Sequence, residues 1–244
     1  MQHLLSKMRR AVDDYGMIQE GDRIAVGLSG GKDSLTVLAA AKALQRFYPN
    51  RFHLEAITLD MGTEGMDFTP LEDFCRELSV PFHLEKTEIK QIVFDWRKEK
   101  NPCSLCANLR RGALNTAAKE RGLDKIMLGH HFDDVIETFM LSLIFEGRSS
   151  CFSPVTYLDR MDVTLLRPFI YVPEADIRKY TSAAKLPVVK NLCPADGNTK
   201  RTYVKQLLSQ IEHENHGAKQ RLFTALRSTL PDWQIIHNEK EIIK

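Results

Sequence analysis

A chain of 244 residues is long enough for one good-sized core with a small appendage, and too short for several large domains. With 43% apolar and 27% charged residues it has the make-up of an ordinary globular protein, which excludes a disordered chain or fibrous repeat, and no stretch is apolar for long enough to span a bilayer. A formal charge of +2 is too small to signal nucleic acid by itself, and five cysteines, an odd number, argue against a disulfide scaffold and for reduced thiols, a metal or redox chemistry.

The first ten residues, Met1 to Arg10, lack the apolar run of a secretion signal and read as an amphipathic helix, so a cytoplasmic protein is expected. Arg23 to Leu28 has strand character and leads through a glycine turn into Leu35 to Phe47, an Ala- and Leu-rich helix. His53 to Leu59 repeats the strand signal, Phe68 to Leu78 the helical one, and Val80 to Leu84 returns to strand. Ile89 to Gly122 reads as helical material interrupted near Pro102; Lys125 to Gly129 is a further strand, Asp134 to Phe145 a helix, Val163 to Leu166 a strand and Glu174 to Ala184 a helix. This alternation with short connections predicts an α/β fold whose parallel sheet is covered by helices on both faces. Beyond Asn198 only helical signals remain, at Tyr203 to Ile211 and Ala218 to Leu230. The expected organisation is an N-terminal helix in residues 1–20, a nucleotide-binding domain in 21–197 and a helical extension in 198–244.

Ser29-Gly30-Gly31-Lys32-Asp33-Ser34 stands where the first strand ends and a helix opens, the position at which ligands bind in open α/β sheets. Gly30 and Gly31 permit close backbone approach, so successive N–H groups can cradle a phosphate with help from the helix dipole. Lys32 adds a full charge, Ser29 and Ser34 add hydroxyl donors, and Asp33 makes sense beside phosphate if it works through magnesium. The pattern is neither a Walker loop nor the dinucleotide Gly-x-Gly-x-x-Gly. Its plain alternative is a glycine turn capping a helix.

Gly129-His130-His131-Phe132-Asp133-Asp134 also follows a strand and opens a helix, so two strand ends converge. Gly129 would let a nucleotide lie close to the backbone, while Asp133 and Asp134 can hold magnesium or orient substrate, one of them capping the helix instead. Asp60, at the end of the second strand, is a weaker candidate and equally a turn residue.

Pro102-Cys103-Ser104-Leu105-Cys106 is a Cys-x-x-Cys pair entering a basic helix, and Asn191-Leu192-Cys193 supplies a third thiol. Three thiolates suit a zinc site completed by His130 or His131, three irons of a four-iron, four-sulfur cluster, or a redox pair with a bystander. Cys75 and Cys151 lack such context and read as core. Arg110, one turn after Cys106, can reach the space between the phosphate loop and the cysteines and is the candidate for stabilising transferred charge. Arg97, Lys98, Lys100, Arg111, Lys119, Arg121 and Lys125 surround the Cys-x-x-Cys segment, and Lys200, Arg201 and Lys205 follow Cys193. They suggest a phosphate-backbone surface, with a solvated face paired to Glu99, Glu120 and Asp124 as the alternative.

The Ser29 to Ser34 loop resembles the signature of the PP-loop ATP pyrophosphatases. That resemblance implies a five-stranded parallel sheet and cleavage of ATP between its α and β phosphates, leaving AMP on a substrate oxygen. Cys103-Ser104-Leu105-Cys106, Leu109-Arg110-Arg111-Gly112, Gly129-His130-His131 with Asp133-Asp134, and Asn191-Leu192-Cys193 are together similar to the TtcA family of tRNA 2-thiocytidine biosynthesis proteins, over roughly Gly21 to Arg201. The resemblance implies that Cys103, Cys106 and Cys193 hold a four-iron, four-sulfur cluster with one open iron. Together with the readings above, Lys32, Asp33, Asp133 and Arg110 are the expected catalytic residues, and the phosphate loop with Asp60, Gly129, His130 and Asp134 the expected magnesium ATP site. The partners the resemblance implies are tRNA and a sulfur donor such as a cysteine desulfurase, with a homodimer as an option and no membrane. After Cys193 the chain departs from the family's usual Gly-Ser-Gln, having Pro194-Ala195-Asp196 instead. The competing readings are thiolation of a uridine or another base, an amidating ligase of the same fold, and a non-enzymatic ATP- or tRNA-binding module with a structural metal.

Overall fold

In a computed structural model, residues 1–97, 102–189 and 200–236 are described. The chain runs through α1 (Gln2–Asp14), β1 (Asp22–Gly27), α2 (Lys32–Leu44), β2 (Phe52–Asp60), α3 (Thr69–Glu77), β3 (Phe82–Lys86), a π-helical turn (Gln91–Trp96), α4 (Pro102–Glu120) and β4 (Lys125–Met127). It continues through α5 (Phe132–Glu146), β5 (Val155–Leu158), β6 (Val163–Leu166), α6 (Glu174–Ala183), α7 (Lys200–Glu214) and α8 (Ala218–Thr229), ending in a 3-10 turn at Pro231–Trp233. The strands form one sheet in the order β3-β2-β1-β4-β6-β5. The first five of these are parallel, as expected. β5 adds a sixth, antiparallel strand at the edge, pairing Val155 with Leu166 and Leu158 with Val163. It escapes the sequence reading because it is four residues long and follows Pro154, a residue that favours edges and turns.

Opposite faces of the strands serve two cores. Ile24 and Val26 of β1 face a large core built with α1, α2, α5 and α6, whereas Ala25 between them faces a smaller one closed by Ala117 and Ala118 of α4. α2 is buried on nearly every side from Ser34 to Leu44, which is why its sequence is apolar all round rather than striped. Val204 and Leu208 of α7, Phe223 and Leu226 of α8 and Trp233 join the large core.

β1 pairs with β2 on one side and with β4 on the other, so the strand order reverses between β1 and β4. Above that reversal the connections leave in opposite directions and open a crevice. The loop before α2 and the loop before α5 both face it.

Candidate active site

Gly30 turns the loop after β1 through φ +79°, a region that side-chain-bearing residues rarely enter. Ser34 closes the loop on itself. Its Oγ accepts from the Ser29 amide at 3.1 Å, donates to the Gly31 carbonyl at 3.0 Å and lies 3.1 Å from the Ser29 Oγ. The hydroxyls therefore hold the loop's shape in this state, and a phosphate would compete for the same groups. Lys32 Nζ sits between both oxygens of Asp33, at 3.0 and 2.9 Å, and Glu174 Oε1 at 3.1 Å. Burial alone would lower the Lys32 pKa, but these two carboxylates outweigh it and hold the ammonium above its ordinary value.

Gly129 lies against the start of α2. A Cβ there would lie 3.1 Å from the Ser34 amide nitrogen and 3.2 Å from the Asp33 carbonyl carbon, so its smallness lets the end of β4 abut the start of α2. His131 then caps α5: its Nδ1 accepts from the Asp134 amide at 3.4 Å while Asp134 Oδ2 accepts from the His131 amide at 3.0 Å. His131 Nε2 also lies 3.8 Å from Asp33, linking the two loops. His130 packs its ring against Phe152, 4.9 Å between centroids. Burial first, and then the Arg167 charge, push His130 down to about 4, so it is neutral at physiological pH.

The paired aspartates part company. Asp134 keeps a place on the crevice side, its Oδ1 receiving Arg201 at 3.2 Å. Asp133 has both oxygens engaged elsewhere: Oδ2 accepts from the Glu174 amide at 2.8 Å and Oδ1 from Lys219 at 2.7 Å. In this state it joins α5 to α6 and α8. Asp60 likewise makes a turn, accepting from the Gly62 amide at 2.9 Å where Gly62 adopts φ +76°.

α4 brings the cysteines. It runs back across the sheet between β3 and β4, and a Cβ on Gly27, at the end of β1, would meet Leu114 at 2.9 Å. Cys106 lies two turns before Leu114, so at about 1.5 Å per residue it overhangs the strand ends by roughly 12 Å. Cys103 is exposed and Cys106 partly so, and Arg110 is exposed on the same helix. Cys193 lies outside the described residues, as do Lys98 and Lys100. Its flanks are informative: the Val189 amide donates to the Gly30 carbonyl at 3.0 Å, and Arg201 binds Asp134 and Glu137, each at 3.2 Å. Among the described residues no group of three His, Cys, Asp or Glu is arranged as a metal site.

The basic residues do not form one surface. Lys125 pairs with Asp22 at 2.6 Å where β4 and β1 begin, Arg121 pairs with Glu85 of β3, and Lys119 pairs with Asp162 at 2.6 Å. Arg110 and Arg111 remain beside the cysteines. Glu174 and Arg167 were missed: each acts through neighbours that only the fold supplies, and nothing in Val172-Pro173-Glu174 beyond a helix start marks the first.

A family model described as a PP-loop domain matches residues 2–211. A tRNA-cytidine(32) 2-sulfurtransferase from Citrifermentans bemidjiense is 38% identical over 229 residues, covering 93% of this chain and 90% of the relative. The chain is a member of the TtcA family. An equally named relative from Geobacter sulfurreducens is 39% identical over 225 residues, covering 91% of this chain and 88% of its own. The TtcA fold is also that of the U34-tRNA thiolase NcsA from Methanococcus maripaludis, solved with its [4Fe-4S] cluster, with a TM-score of 0.74 at 24% identity over 91% of this chain and 77% of that one. No described helix of this TtcA member is long and apolar enough to cross a membrane.

Proposed function

We propose that this chain is an ATP-dependent tRNA thiolase, which adenylates the C2 oxygen of a cytidine and replaces that oxygen with sulfur. What supports the reading is a loop bearing Lys32 and Asp33 at the end of β1, together with α4, whose Leu114 packs against Gly27 at that same strand end and whose first turns bear Cys103, Cys106 and Arg110. An amide-type oxygen is a poor leaving group and AMP a good one, so adenylation prepares C2 for a sulfur nucleophile. The backbone amides of Gly30 and Gly31 and the hydroxyls of Ser29 and Ser34 bind the triphosphate. Lys32 meets the charge that gathers on pyrophosphate, and Asp33 and Asp134 are placed to hold magnesium. Asp133 fixes α6 against α5. Arg110 steadies charge on the transferred group.

The soft thiol pair on one face of α4 fits an iron-sulfur cluster, with Cys193 as the third ligand, better than it fits a hard cation. When bound, that cluster supplies an open iron able to carry sulfide to the activated base. His130, neutral and packed on Phe152, lines the crevice near the adenylation site. The sulfur comes from a donor such as a cysteine desulfurase, the enzyme works in the cytoplasm with its tRNA, and a homodimer is compatible with this arrangement.

Nucleoside mass spectrometry of tRNA from cells with and without the gene tests the reading, since 2-thiocytidine should vanish on deletion and a missing thiouridine would point to the other base. Lys32→Ala or Asp33→Ala should abolish pyrophosphate release while the melting curve stays near that of the unaltered protein. Full release by both variants would remove the phosphate loop from the mechanism.

A further inference from the structure

Lys32 is held from two sides, and the second holder is built with care. Glu174 opens α6, and its side chain is only 13% exposed. Besides Lys32, its carboxylate takes Arg178 through Nη2 at 2.7 Å and Nε at 3.1 Å, and Lys205 of α7 at 2.8 Å. Its own amide is fixed by Asp133 at 2.8 Å, and Thr181 on the same helix meets Thr36 of α2 at 3.2 Å. Burial by itself would raise the Glu174 pKa, but the hydrogen bonds from Lys205, Lys32 and Arg178 outweigh it and hold the carboxyl well below the usual carboxylate range. A charged carboxylate is thus fixed, in position and in ionisation, beside the lysine of the phosphate loop.

We infer that Glu174 is a positioning residue for adenylation, keeping the Lys32 ammonium at the mouth of the phosphate loop once magnesium takes over Asp33. The inference rests on the adenylation reading above. A divalent cation on Asp33 repels the ammonium that occupies both carboxylate oxygens in this state. Lysine is a point charge on a flexible four-carbon stem, so without another partner it would spread over many rotamers. Glu174 leaves it one. In the step itself the base oxygen forms a bond to the α-phosphorus, the bond from that phosphorus to the bridging oxygen breaks, and pyrophosphate departs with the electron pair. Lys32 must already be in place to meet that charge. A carboxylate next to a triphosphate also weakens ground-state binding by like-charge repulsion, which Arg178 and Lys205 offset. The benefit of Glu174 therefore falls on turnover and not on affinity.

The test is tRNA-dependent pyrophosphate release by the full chain, purified anaerobically, for wild type, Glu174→Gln and Glu174→Asp. Glu174→Gln should lower kcat by roughly ten- to a hundredfold, the scale of a misplaced reacting group, with KM for ATP unchanged or reduced. Glu174→Asp, which keeps the charge on a shorter arm, should fall between Glu174→Gln and wild type. Wild-type kcat in Glu174→Gln, a raised KM with unchanged kcat, or a kcat loss in Glu174→Asp as large as in Glu174→Gln would each overturn the assignment while the adenylation reading stands. Absence of pyrophosphate release by the wild-type protein with ATP and tRNA would bring down that reading, and the role of Glu174 with it.

Discussion

Where β4 ends, Gly129 touches the backbone of Asp33 and Ser34, and backbone cannot step aside as a flexible side chain can. Gly129→Val should therefore push the start of α2 out of register, costing about 1–3 kcal/mol of stability and a larger share of ATP affinity. Thermal melts beside calorimetric titration with ATP would show it, and full affinity in the variant would mean the contact is slack. Cys75 illustrates the opposite case, a residue with chemistry that its surroundings switch off. It is fully buried, and burial pushes its thiol up to about 12. It should resist alkylation at pH 8 until the protein unfolds. The unfolded chain ionises this thiol from about pH 9 while the folded chain keeps it protonated. Stability should accordingly fall as pH rises from 9 toward 12, and Cys75→Ala should flatten part of that slope in denaturant titrations.

At the scale of the elements, the strand and helix alternation of the central domain was legible because each segment carries a period that depends on its own residues alone. Val163–Leu166 and the start of Glu174–Ala183 fall where the pattern puts them. What could not be read depends on partners distant in sequence. Asp133 and Asp134 are adjacent and chemically identical, yet one faces Lys219 and the other Arg201, 86 and 67 residues away. The contact of Gly129 with the start of α2 likewise depends on a segment almost a hundred residues earlier, which no local pattern announces. The cysteines stand on firmer ground, since their spacing is itself the signal. Anaerobic reconstitution should give about four irons per chain, as one cubane requires, with loss of iron and acid-labile sulfide in Cys103→Ser, Cys106→Ser and Cys193→Ser but not in Cys151→Ser. Zinc alone in the anaerobic protein would replace the cluster with a structural site.

Across the whole molecule, the turn that follows α8 is bound into the main core through Trp233. Trp233 is 1% exposed, stands edge-on to Phe223 at 5.6 Å and to Tyr15 at 6.2 Å, and receives the Tyr15 hydroxyl on its carbonyl at 3.2 Å. α1 and the C-terminal turn thus meet each other. Trp233→Ala should cost about 3–5 kcal/mol and lower the melting temperature of the entire chain in a single transition. A separate early transition confined to the C-terminal helices would show instead that they fold on their own.

The hydrogen bond from the Val189 amide to the Gly30 carbonyl joins the phosphate loop to the chain four residues ahead of Cys193. Four residues of chain reach at most about 14 Å, whatever their conformation. Val189 is then a spectroscopic witness: one amide whose solvent exchange registers every reshaping of Gly30. Followed by hydrogen exchange as nucleotide is added and removed, it tells from inside the protein whether filling one half of the crevice is felt by the other.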